Sequence, residues 1–143
     1  MTKQILTVAA ALAFTALAPV QSHAQEVTQA RVPFAFQVAN TTMPAGEYQI
    51  GRALQSSKQV QQVRRADSTA SAFVITIPTG STNNDAGPRL IFHCYSKECF
   101  LSEIWNGNGE GMKLLVSRHE KEVSRASTES ELAVVALPLT VTP

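Results

Sequence analysis

Leu90 to Trp105 reads LIFHCYSKECFLSEIW. Two apolar runs, Leu90–Cys94 and Cys99–Trp105, flank the polar tetrad Tyr95-Ser96-Lys97-Glu98. Each run has strand length, and so short a spacer permits only an antiparallel hairpin. A two-residue or a four-residue loop gives the same register. Cys94 then faces Cys99, His93 faces Phe100, and Phe92 faces Leu101. Directly opposed Cβ atoms lie about 4.5–5.5 Å apart, close to the ~3.5–4.5 Å that a disulfide spans. The pairing therefore predicts a Cys94–Cys99 disulfide that staples the end of the hairpin.

Extended patterning continues on both sides of this hairpin. Upstream, Val32, Phe34, Phe36 and Val38 alternate with Pro33, Ala35 and Gln37, the period of a half-buried strand. Asn40-Thr41-Thr42 and Pro44-Ala45-Gly46 break the pattern. Pro44 suits the first corner of a tight turn, and Gly46 is able to supply a positive φ. Tyr48, Ile50 and Leu54 then share one strand face. Lys58 to Arg65 reads as a polar edge strand. Ala72 to Pro78 carries Phe73, Ile75 and Ile77 on one face and Val74 and Thr76 on the other, as in a strand covered on both sides.

Downstream, a Gly-rich loop, Asn106 to Gly111, leads into a short strand over Met112–Val116. Ser117-Arg118-His119-Glu120 has the spacing of a capping box and opens one short surface helix. Glu131 to Val141 returns to strand. Seven or eight strands, one helix and no βαβ alternation predict an all-β fold, a small antiparallel β-sandwich or barrel.

The ends and the composition set the compartment. Residues 1–24 read as a secretory signal peptide: Lys3, then an uncharged Ala/Leu-rich run from Ile5 to Val20, then Ser22-His23-Ala24 before a cut at Gln25. The run falls short of the ~20 residues a membrane span needs. Residues 25–31 read as a disordered leader and residues 32–143 as a single β domain. Cleavage removes Lys3 and leaves eleven basic and eleven acidic side chains. A neutral surface neutralises few phosphates, so nucleic acid is excluded as a partner. Both cysteines lie in the exported part, where disulfides persist. The expected location is periplasmic or secreted.

No motif carries a specific chemistry. His93, Cys94 and Cys99 offer donor atoms, but His93 alternates with Cys94 onto the other face and no fourth ligand follows, so no metal is expected. The C-x-x-x-x-C spacing on strands is not that of a redox motif. His93, Ser102 and Glu98 share a face in the simple register, yet Phe100 separates Ser102 from Glu98 and no Gly-x-Ser-x-Gly turn exposes the serine. Gly107, Gly109 and Gly111 precede no Lys-Ser/Thr, so they form no phosphate loop. Tyr48 reads as the buried ring after a turn and Trp105 as the rim of the core, each with ligand contact as its alternative role. No catalytic residue and no cofactor are expected.

Three segments together, PFAFQV, MPAGEYQI and RLIFHCYSKECFLSEIW, followed by the charged SRHEKE, are similar to an uncharacterised family of small secreted bacterial proteins. Its members read PF-x-F-x-V, LPAGEY and LVFHRYGD-x-YFLSEIW. The likeness runs from about Val32 to Arg125 and implies export and a common fold; it brings no activity with it. Cys94 and Cys99 stand where the family pattern has an Arg and a Tyr, a paired departure that fits a cross-link. The reading that follows is an exported, non-enzymatic interaction module whose partner is a protein or an envelope component. Two alternatives stand beside it. One is a binder of a small apolar or sugar ligand in a pocket lined by Phe34, Phe36, Phe73 and Tyr48. The other is a hydrolase with an unrecognised site.

Overall fold

The computed structural model describes residues 27–81 and 86–142. The expected signal peptide, residues 1–24, lies outside the described residues. The strands are β1 (Val27–Val32), β2 (Phe36–Val38), β3 (Thr41–Met43), β4 (Gly46–Leu54), β5 (Ser57–Arg65) and β6 (Ser71–Ser81). They continue with β7 (Arg89–Tyr95), β8 (Glu98–Trp105) and β9 (Glu110–Leu114), then β10 (Leu132–Pro138) and β11 (Thr140–Thr142). One helix, α1 (Arg118–Ala126), and a 3₁₀ turn at Glu129–Glu131 separate β9 from β10. The fold is all-β, with eleven strands among the described residues where seven or eight were expected. Part of the excess is β1, which occupies most of the segment read as a leader and pairs with both β4 and β11.

Neighbouring strands run β10-β7-β8-β9-β6-β5-β4-β1-β11, each pair antiparallel. Two crossings turn this ribbon into a sandwich. β6 pairs with β5 through residues 71–75 and with β9 from Thr76 onward, so it passes from one sheet to the other. β10 and β11, separated only by Leu139, do the same: β10 lies beside β7, whereas β11 lies beside β1. The Leu139 amide donates to the Pro88 carbonyl at this corner, 3.0 Å away. The β2–β3 hairpin stands off the main path and meets β8 in parallel at Gln37 and Phe100.

The core lies between the sheets and follows the two-residue period. Val32, Phe36, Val38, Met43, Tyr48, Ile50, Leu90 and Phe92 are buried. Phe36 meets Tyr48 and Phe92 edge-on, with centroids 5.0 and 5.3 Å away. The Tyr48 hydroxyl donates to the Pro44 carbonyl and closes the turn between β3 and β4. Gly46 is almost fully extended and not left-handed; its bare Cα lies under Arg65, whose Nε would sit 2.9 Å from an added Cβ.

Two expectations, one about an edge and one about a face, are overturned. β5 is an interior strand between β4 and β6, not an edge. Its Gln61 is buried, and Nε2 donates to the Lys58 carbonyl at 2.8 Å. On β6 it is Ala72, Val74 and Thr76 that point inward, while Phe73, Ile75 and Ile77 point outward. Register compels this. Ala72 pairs with buried Val63 and Thr76 with buried Leu114, so the residues between must face away.

The hairpin has the expected register at its tip: Cys94 opposes Cys99, His93 opposes Phe100, and Phe92 opposes Leu101. The Cys94–Cys99 disulfide is formed. Tyr95 pairs with Glu98, leaving a two-residue turn with Ser96 left-handed at φ 53°. Further along, a bulge leaves Ser102 without an opposite residue, because Ile91 pairs with Glu103. An unbroken register would have set Glu103 against buried Leu90; the bulge sets Ile104 there.

Two outcomes are expected. Replacing both cysteines with serine should leave the circular dichroism spectrum intact and lower unfolding free energy by about 2 kcal/mol, the chain-entropy value for so short a loop. Loss of the folded spectrum would contradict a merely local staple. Burial raises the Tyr48 phenol above its ordinary value; Arg65 acts against this and Asp67 adds to it. A raised phenol contributes stability that is complete below the ordinary tyrosine range, about pH 10, and lost as pH climbs through the folded value. Tyr48→Phe should cost about 1 kcal/mol at neutral pH, and the gap to wild type should narrow in alkali. Denaturant titrations at several pH values measure it; a constant gap counts against the assignment.

Candidate functional site

The second sheet comprises β10, β7, β8, β9 and the later part of β6, and its outer face holds His93 and Glu98, two of the residues that sequence reading singled out for chemistry. Phe100 points outward from β8 yet is only 2% exposed, because α1 lies over it. Tyr95 and His119 flank its ring, with centroids 5.9 and 5.7 Å away. Ser117 caps α1 as its spacing predicts, its Oγ accepting from the Glu120 amide at 3.1 Å. The one buried residue of the helix is a carboxylate, Glu120.

Glu120 and His119 form reciprocal contacts with the hairpin. Glu120 Oε1 is 3.8 Å from His93 Nδ1, and His119 Nε2 is 2.6 Å from Glu98 Oε2. Strand and helix thus each contribute one imidazole and one carboxylate. The Arg118–Glu122 pair is largely solvent-exposed and adds little to docking.

This arrangement separates the members of the suspected triad. His93 faces Glu120, Glu98 is engaged by His119, and Ser102 is buried at the bulge. The sequence missed Glu120 and His119 as partners because a helix packs back onto a hairpin through contacts that no strand register encodes. Among the described residues no group of three His, Cys, Asp or Glu side chains could hold a metal ion.

Tyr48 lies in the core with its hydroxyl engaged by Pro44. Trp105 sits across the sheet between Arg89 on β7 and Gly111 on β9. The Arg89 guanidinium lies over the indole, 4.8 Å from its centroid, and the indole Nε1 donates to Glu103 at 2.7 Å. On the other flank the ring fits against the bare Gly111, where an added Cβ would stand 2.8 Å from Cε2 and Cζ2. With the guanidinium on it and the glycine beside it, the indole packs as wall and offers no open platform for stacking a sugar.

Trp105 also borders a cleft of about 800 Å3 at one end of the sandwich. Ile50, Ile104, Met112 and Leu139 give this cleft apolar walls, and the β8–β9 turn frames it with Asn106 and Asn108. Asn106 Oδ1 is the one buried side-chain polar atom without a hydrogen-bond partner among the described residues. Phe34, Phe36 and Tyr48 do not line the cleft; their rings pack into the core.

A row of large apolar side chains lies outside. Phe73, Ile75 and Ile77 are 65%, 61% and 45% exposed along β6, and Leu115 beyond the end of β9 is 57% exposed. Thr76 pairs with Leu114, so Leu115 follows on beside Ile75. No helix among the described residues is long and apolar enough to cross a membrane. No family model, no curated protein and no solved structure matches the chain.

Gly111→Ala should push the indole off its seat. A loss of about 1–3 kcal/mol is expected, the usual cost of overpacking, together with a shift in tryptophan emission. Unchanged emission and an unchanged melt would show that the ring does not rest on this glycine.

Proposed function

We propose that the protein is an exported β-domain that acts as a non-enzymatic interaction module, at the cell envelope or outside the cell. The carrying observation is the outward row Phe73, Ile75 and Ile77. The inner face of β6 is already supplied by Ala72, Val74 and Thr76, so the core does not need these three side chains. A contiguous apolar row on an outer sheet face is the surface type that partners cover. The Cys94–Cys99 bond fits an oxidising compartment, in keeping with the signal peptide read at residues 1–24. An enzymatic reading finds less support, since His93 and Glu98 are each engaged by α1 and neither is joined to a nucleophile.

The double variant Phe73→Ser, Ile75→Thr removes the two most exposed side chains of the row without touching the core. Its stability should stay within about 1 kcal/mol of wild type, the span of strand propensity. Co-sedimentation of the processed chain with bacterial envelope fractions should fall several-fold in the variant. Equal sedimentation of both proteins, or none of either, would reject the row as the contact surface.

A further inference from the structure

β10 is an end strand. One edge pairs with β7 along its whole length, Leu132 to Pro138, and no strand among the described residues pairs with the other edge. Its sequence, LAVVALP, contains no charged residue. Natural edge strands are commonly blunted by lysine, by an internal proline or by a bulge. Here proline comes only at the last position, Pro138, and the β10–β7 register has no break. Leu132, Ala133 and Val134 are exposed in succession, so both faces of the leading half meet solvent. Val134 is 63% exposed.

An open edge presents alternating N–H and C=O groups, and only another extended chain satisfies them. We propose that a second copy of this chain supplies it, β10 pairing antiparallel with its own counterpart about a two-fold axis at Val134. The inference rests on the reading of the domain as an interaction module and names one partner. Antiparallel pairing of one strand with itself is self-complementary, as a closed two-fold contact requires. Centred on Val134, it spans Leu132 to Ala136 and joins the second sheets of two molecules. Beyond this span β1 comes alongside, where β10 runs into β11. Charge favours the same direction. Glu129 and Glu131 precede the strand, whereas exposed Arg31 lies on β1 near its far end. An antiparallel pair brings the acidic end of each copy toward the arginine of the other.

Sedimentation equilibrium of the oxidised, processed chain, residues 25–143, should show a monomer–dimer equilibrium. Hydrogen exchange resolved by residue should slow in the dimer at every second amide between Leu132 and Ala136, the set that β7 leaves free. Packing of one sheet face on another would not give that alternation. Val134→Lys should weaken dimerisation at least tenfold with an unchanged circular dichroism spectrum. A monomer at all concentrations overturns the inference, and so does a dimer in which these amides exchange as in the monomer. Phe73→Ser, Ile75→Thr should leave the dimer intact. If that variant alone dissolves it, the edge inference fails and the apolar row stands. If the dimer forms by edge pairing while envelope binding is absent, the edge stands and the row fails.

Discussion

The sandwich turns on the ring of Phe36. It lies edge-on to Tyr48 from one sheet and to Phe92 from the other. Its own strand, β2, lies off the main path of the ribbon. Phe36 is therefore a wedge held by both layers, and its burial fixes which face of β4 and which face of β7 turn inward. Once those faces are set, a strand period of two propagates the choice through every paired neighbour. The outward row on β6 is a result of that propagation. Its three large side chains lose to Ala72, Val74 and Thr76 because partner strands, not side-chain size, decide parity.

The bulge at Ser102 shows the same constraint meeting a sequence that conflicts with it. The disulfide and Phe92 fix the hairpin from the tip, while Ile104 and Leu90 demand burial at the other end. An odd residue stands between these requirements, and Ser102 is the one left over. The shift turns Glu103 and Trp105 outward, where Glu103 holds the indole nitrogen and Arg89 covers the ring. A small local irregularity therefore builds the packed wall beside the end cleft.

The hairpin tip and the helix cap were legible in the sequence because both are local. Register around a short loop leaves Cys94 and Cys99 no other relation, and the Ser117 half of the expected capping box forms within four residues, whereas the Glu120 carboxylate turns to His93 instead of closing it. What escaped reading depends on distant partners. β1 gains strand structure only by lying between β4 and β11, so the polar segment that supplies it looks like a leader in isolation. β5 looks like an edge because Gln59, Gln61 and Gln62 are polar, yet the Gln61 amide finds a backbone partner within its own strand. The site residues show the same division. Tyr48 was read as a buried ring that follows a turn and Trp105 as the rim of the core, and the partners of their polar atoms, Pro44 and Glu103, lie only four and two residues away. The engagement of His93 and Glu98 by α1 comes from packing across more than twenty residues of chain, and no pattern in either segment announces it.

Helix α1 is fastened unlike any strand. Its sole buried residue is Glu120, and its grip consists of two imidazole–carboxylate contacts and one aromatic edge. Apart from the Phe100 ring, little apolar area is exposed to water when such an element lifts away, so it forms a cooperative unit of lower stability than the sheet beneath. Transient release would lay bare the ring of Phe100 while the stapled hairpin kept its shape. Proteases would then find their first cut in this surface helix, with the two sheets still intact.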